Sequence, residues 1–177
     1  MRKTTKLAGL AAAVGALGLG AAFIPPSSAD EQPPISVELL TPRSDFTDEV
    51  GGQIRLKLDG QATNVLNMAD MSKVATAKIT VQPGARFPWH THPGPVIANV
   101  AQGELTYVYA SDCVERSYPA GTLFVDPGRG NVHTAFNPTN EVTVVYATFF
   151  EVPPTGPLTI PVDDPGTCEI TVGSHGH

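Results

Sequence analysis

Gly84-Ala-Arg-Phe-Pro-Trp-His90-Thr-His92, answered later in the chain by Gly130-Asn-Val-His133-Thr-Ala-Phe-Asn137, decides how this sequence is read. On an extended strand successive side chains point to opposite faces, so His90 and His92 project from one face and can hold one ion between them. A third imidazole has to come from elsewhere, and His133 is the only other histidine before the last three residues. Three neutral imidazoles converging from rigid elements suit a late divalent transition ion, with Zn, Fe, Cu or Ni ahead of Mn or Mg. The same spacing equally suits two half-exposed histidines beside a turn and one packed in a core. Spacing alone does not choose between them.

Outward from this stretch the chain breaks into short apolar segments between Gly/Pro turns. Gln53–Leu58 alternates, with Ile54, Leu56 and Leu58 on one face, and stops at Asp59-Gly60; Val74–Val81 is β-branched and alternating and turns at Gln82-Pro83-Gly84. Val96–Ala101 and Leu105–Tyr109 read as a hairpin about Gln102-Gly103. Val114–Tyr118, Leu123–Val125, Val132–Phe136 and Val142–Phe150 follow, separated by Pro119-Ala-Gly121, Pro127-Gly-Arg-Gly130 and Asn137-Pro138. Asn64–Ser72 has no clear period. After the leader, no segment keeps a helical period over three turns, and the pattern predicts an all-β sandwich or barrel. Its expected span is residues 51–162, with an acidic, Pro-bearing arm over 30–50 and a strap and tail over 163–177.

The first 29 residues are a charged start (Arg2, Lys3, Lys6), an uncharged Ala/Gly/Leu run from Leu7 to Ile24, and Pro25-Pro26-Ser-Ser-Ala29. That layout predicts a signal peptide cleaved after Ala29 and a secreted or extracytoplasmic protein with no stable membrane association afterwards. Removing it leaves eight basic against seventeen acidic residues, a net charge of −9. Such a balance without a basic patch argues against nucleic acid or anionic lipid as partner. The chain has two cysteines, Cys113 and Cys168, and in an oxidising compartment an isolated pair is expected to form a disulfide. No phosphate-cradling glycine loop, nucleotide fingerprint or Gly-x-Ser-x-Gly elbow is present.

Gly84-x5-His90-x-His92 followed by Gly103, and Gly121-x5-Pro127 followed by Gly130-x2-His133-x3-Asn137, resemble the two sequence motifs of the cupin superfamily. The resemblance covers about residues 74–150. It implies a double-stranded β-helix, a small jelly-roll barrel, with His90, His92 and His133 directed into its mouth as metal ligands. Two departures stand out. The family's usual motif glutamate falls at Val96, which has no donor, and one extra residue lies between Pro127 and His133. The chain is therefore similar to the three-histidine subset of cupins. Glu104 reads either as a replacement ligand or as an exposed turn residue; Asp126 and Arg129 read as turn residues at the rim.

Trp89, Phe87, Tyr107, Val96 and Asn137 are the expected neighbours of the site, the aromatic residues as pocket wall or as core. His175 and His177 form a tail able to scavenge metal. Because the fold hosts enzymes and binding proteins alike, two functions stand side by side. One is a metal-dependent small-molecule enzyme, dioxygenase-like or isomerase-like, whose catalytic residues are unknown. The other is a non-catalytic module for a small ligand or the metal itself. A cavity that has lost its metal is a third reading, and the resemblance allows a homodimer through sheet edges.

Overall fold

The computed structural model describes residues 34–172, and the expected signal peptide and the His175/His177 tail lie outside them. The described residues form thirteen strands and no helix, as the Gly/Pro punctuation requires. In chain order these are β1 (Ile35–Leu39), β2 (Ser44–Asp45), β3 (Gly52–Leu56), β4 (Asn64–Met68), β5 (Lys73–Val81), β6 (His90–Thr91) and β7 (Val96–Gln102). After them come β8 (Glu104–Tyr109), β9 (Glu115–Pro119), β10 (Thr122–Asp126), β11 (His133–Phe136), β12 (Thr143–Phe149) and β13 (Ile160–Pro161).

Two sheets face each other. One runs β1-β5-β12-β7-β10 with β2 also on β5, the other β13-β6-β11-β8-β9, and β3 pairs β4 as a separate ribbon. All the pairs are antiparallel and most join strands distant in sequence, the strand order of a double-stranded β-helix. The arm contributes β1, which adds an edge to β5 with Ile35 opposite Val81.

Strand alternation explains the interior. β12 buries Thr143, Val145, Ala147 and Phe149 and turns Tyr146 outward, while β5 buries Ala75, Ala77 and Val81. At one end the inward positions are filled by Val81, Val100, Leu105 and Val145. Other inward positions carry alanine, namely Ala75, Ala77, Ala98, Ala135 and Ala147, all buried. Alanine is a poor strand former and fills little space, so its repetition on inward positions trades packing for room. Three of these alanines, Ala98, Ala135 and Ala147, line a cavity of about 120 Å³.

β4 is a strand that alternation does not announce. Its Leu66 and Met68 are buried, but Val65 points outward at 47% exposure, which breaks the apolar/polar alternation of Asn64–Met68. Pairing with β3, Ile54 opposite Leu66, supplies what local pattern does not. Beyond β13 the chain runs extended without strand pairing, and Cys168, Ile170 and Val172 pack on the cluster of Trp89, Val108 and Phe136. Cys113 and Cys168 are bonded, closing a loop of 55 residues. On the chain-entropy account that closure stabilises the fold by about 4 kcal/mol.

Candidate metal centre

β11 lies between β6 and β8, and its register sets His133 opposite His90 on one side and Tyr109 on the other. His92 follows β6 and returns to the face of His90. The ring centroids of His90 lie 4.1 Å from His133 and 5.0 Å from His92, and those of His92 and His133 are 5.1 Å apart. One nitrogen from each converges within 4.8 Å of the others, and all three side chains are buried. The geometry favours the shared site over the reading as unrelated histidines.

Their hydrogen bonds decide which nitrogen points inward. Nδ1 of His90 lies 2.7 Å from the Pro88 carbonyl, Nδ1 of His92 2.8 Å from that of Leu158, and Nδ1 of His133 3.2 Å from that of Asn131. A carbonyl only accepts, so each Nδ1 carries the hydrogen and each neutral ring presents a bare Nε2 lone pair. Burial lowers the pKa of all three, that of His92 to about 4, so the lone pairs persist well below neutral pH. This donor set, three neutral imidazoles held from behind by carbonyls, fits a borderline transition ion.

A fourth group stands beside two of the three histidines, His92 and His133. Asp126, the last residue of β10, is 2% exposed, and its Oδ2 lies 3.3 Å from Nε2 of His92 and 3.2 Å from Nε2 of His133. Oδ1 accepts from the Gly128 N–H at 2.8 Å, whereas Oδ2 is buried without a hydrogen-bond partner. Burial pushes its pKa up to about 7, against the pull of the Gly128 N–H. Tyr107 stacks on the His133 ring at 4.7 Å between centroids. Its buried hydroxyl makes no hydrogen bond of good geometry, and burial, reinforced by the Asp126 charge, raises its pKa well above the ordinary phenol.

The turn between β10 and β11 clamps this end. The Arg129 N–H donates to the His92 carbonyl at 2.8 Å and the Gly130 N–H to Oγ1 of Thr91 at 3.1 Å. Arg129 itself, at φ 52°, reaches out to the Glu151 carboxylate and to the Asn67 carbonyl. A Cβ on Gly128 would sit 2.0 Å from the Gly94 carbonyl oxygen, so the Pro93-Gly94-Pro95 and Pro127-Gly128 turns touch only because glycine stands there. The extra residue of the second motif thus belongs to the turn that braces β6. β13 braces β6 from the opposite edge, with Ile160 opposite Thr91, and places Leu158 behind His92.

Of the expected neighbours, Val96, Tyr107 and Phe87 line the cavity with the histidines. Trp89 packs instead with Val108 and Phe136, under the Arg86 guanidinium. Glu104 sits beyond the cavity, where Oε1 accepts from Ser117 and the backbone brackets Thr143. Asn137 is fully buried, but its amide is spent on backbone. In the sequence Asp126 reads as a turn residue at the rim. Its position next to Pro127 hides that it is also the inward-facing end of a strand.

A family model for the cupin domain matches residues 77–150. Over these residues the chain is a cupin domain. Among curated proteins, this cupin is 35% identical over 74 residues to an (R)-mandelonitrile lyase of Granulicella tundricola, a match covering 42% of the chain and 56% of that relative. The chain thus spans little more than half the relative's length. Among solved structures it is similar to the cupin domain of an XRE family transcriptional regulator from Enterobacter cloacae, with 16% identity, TM-score 0.45, and 68% of this chain and 99% of that one covered. A cupin-2 domain protein from Shewanella frigidimarina shares 20% identity at TM-score 0.36, over 42% and 68% of the two chains.

Proposed function

We propose that this cupin is a metal-dependent enzyme acting on a small, largely apolar molecule that reaches the ion through a hydroxyl or carbonyl oxygen. The observation that carries the reading is the convergence of three bare Nε2 atoms at one end of an apolar cavity. Zn, Fe, Cu or Ni suits those donors, and such an ion would supply Lewis-acid polarisation of the bound oxygen. The chain's own residues do the rest. Ala98, Ala135, Ala147 and Phe149 receive the apolar body and exclude water. Tyr107, held protonated by burial, offers a hydrogen bond to the substrate's oxygen.

The relative's name supports a substrate of this kind, since mandelonitrile joins one hydroxyl to an aromatic ring and a nitrile. It favours lyase chemistry at a polarised C–O group over the dioxygenase and isomerase readings. Export after Ala29 belongs to the same proposal, supported by the leader's composition and a disulfide compatible with an oxidising compartment.

The test uses protein carrying His175→Gln and His177→Gln, which removes the competing tail. Elemental analysis should find stoichiometric transition metal. Turnover of mandelonitrile, assayed beside a thiol, a flavonol and a keto-sugar, should disappear with a chelator and return with the ion. Protein that takes up no metal at neutral pH ends the reading. Metal and ligand binding without turnover of any of the four leaves a non-catalytic binding module.

A further inference from the structure

We infer that Asp126 is the fourth protein ligand of the metal centre, supplying from β10 the carboxylate that the first motif lacks at Val96. The inference rests on the metal reading above and adds one donor to it. Three observations carry it, each geometric.

The first is register. β10 and β7 pair antiparallel with Asp126 directly opposite Val96. In a sheet, directly opposed residues project from the same face with their Cβ atoms about 5 Å apart. The side chain of Asp126 therefore enters the cavity beside the place where a residue-96 carboxylate would have entered it, from the adjacent strand.

The second is donor chemistry. Nε2 of His92 and of His133 are lone pairs, because their hydrogens are committed on Nδ1. Oδ2 of Asp126 faces both and has no hydrogen bond of good geometry, although the Tyr107 hydroxyl is near enough to favour the carboxylate. Bare acceptors 3.2 and 3.3 Å apart repel unless a proton or a cation lies among them, and above the pH at which the carboxyl ionises only a cation does this. Oδ1, by contrast, is held by the Gly128 N–H, which fixes the carboxylate plane and leaves one oxygen directed inward.

The third is distance. Ligand atoms bonded to one ion at about 2.1 Å stand about 3.0 Å apart at octahedral angles and about 3.4 Å apart at tetrahedral angles. Both contacts of Oδ2 fall inside that interval. A direct ion pair between carboxylate and imidazolium would instead bring N and O to about 2.8 Å. A centre of three histidines and one carboxylate carries one negative charge rather than none, and favours harder ions more than three histidines alone.

The experiment is a Zn(II) and Mn(II) competition titration at pH 8 on full-length protein bearing His175→Gln and His177→Gln, compared with the same chain carrying Asp126→Asn. Asn keeps the acceptor for Gly128 and removes the charge. Affinity should fall about 100-fold or more, at or beyond the upper end of what removing an outer partner of a ligand costs. The Asp126→Val, Val96→Glu double variant, which moves the carboxylate back across the strand pair, should recover most of that loss. A purely structural role for Asp126 predicts no such rescue. Affinity in Asp126→Asn within threefold of the parent overturns the inference while leaving the three-histidine reading intact. No metal uptake by the parent overturns both. Should the variant fail to fold, or weaken without rescue, a crystal structure of the Zn-loaded parent decides. Oδ2 at about 2.0–2.2 Å from the ion sustains the assignment, and a separation above about 3 Å removes it.

Discussion

Asn137, just after β11, and Asp126, the last residue of the edge strand β10, are both buried polar residues, and they differ in what their polar atoms meet. The Asn137 amide donates to the carbonyls of Val81 and Glu141, and its oxygen accepts from the N–H and hydroxyl of Thr139. Every capacity is used within the chain. Asp126 has one oxygen tied to Gly128 and one facing two lone pairs with no partner. A satisfied buried polar group holds a fold together, whereas an orphaned one costs stability until something outside the chain completes it. The comparison separates a buried polar group completed within the chain from one that is not.

The sharpest break of that contrast comes from the histidines. His133→Ala removes one ligand of a site whose donors share a binding free energy of about 10–16 kcal/mol in Zn peptides, so affinity should fall by about 10³-fold. Competition titration measures it, and the variant should keep its far-ultraviolet circular dichroism. Asn137→Ala should do the opposite. It strands the Val81 and Glu141 carbonyls and should cost about 3 kcal/mol, lowering the melting temperature by about 10 °C. Metal affinity of the folded fraction should be unchanged.

Asp126→Asn should carry the reverse sign in metal-free protein. At pH 8 with EDTA the variant should be more stable than the parent by about 2 kcal/mol, because it removes a buried charge without a partner. The sign follows from linkage. A carboxyl raised in the folded state to about 7 penalises folding fully above that pH, and the penalty shrinks as pH falls toward the unfolded value near 4. The variant's advantage should therefore fade between pH 7 and 4, as read from melting curves across that range.

The smallest effect sharpens the assignment of the competing proton. The histidines are depressed below their ordinary range, so in mild acid the group that must release a proton to bind an ion is Asp126. Metal affinity should be flat above about pH 7 and decline by up to about tenfold per pH unit below it. In Asp126→Asn that acid limb should move to lower pH. An unshifted limb would assign the proton to a histidine.

Much of this molecule is legible before folding is considered. The i, i+2 spacing of His90 and His92 works locally, since strand alternation is a property of the backbone alone. The turns at Gln82-Pro83-Gly84 and Gln102-Gly103 are likewise written in residue type, but β7 and β8 on either side of Gly103 do not pair as the expected hairpin: they enter different sheets, because each finds its partners in strands distant in sequence. The alanines at 98, 135 and 147 carry a signal for the cavity they line, but only when inward positions of different strands are superposed. β4 was invisible because Val65 faces outward. Its stability comes from β3.

The sequence by itself determined an all-β chain, three histidines able to share one ion, and a cysteine pair able to bond, because each follows from strand period, turn chemistry or residue count. Only the tertiary structure decided that Leu158, far down the chain, orients His92, and that Asp126 stands opposite Val96 with an oxygen facing two imidazoles. Those facts depend on the register between strands distant in sequence. With no short turn joining such strands, their register is fixed only when each strand's apolar face is buried against its partners in the assembled sheets.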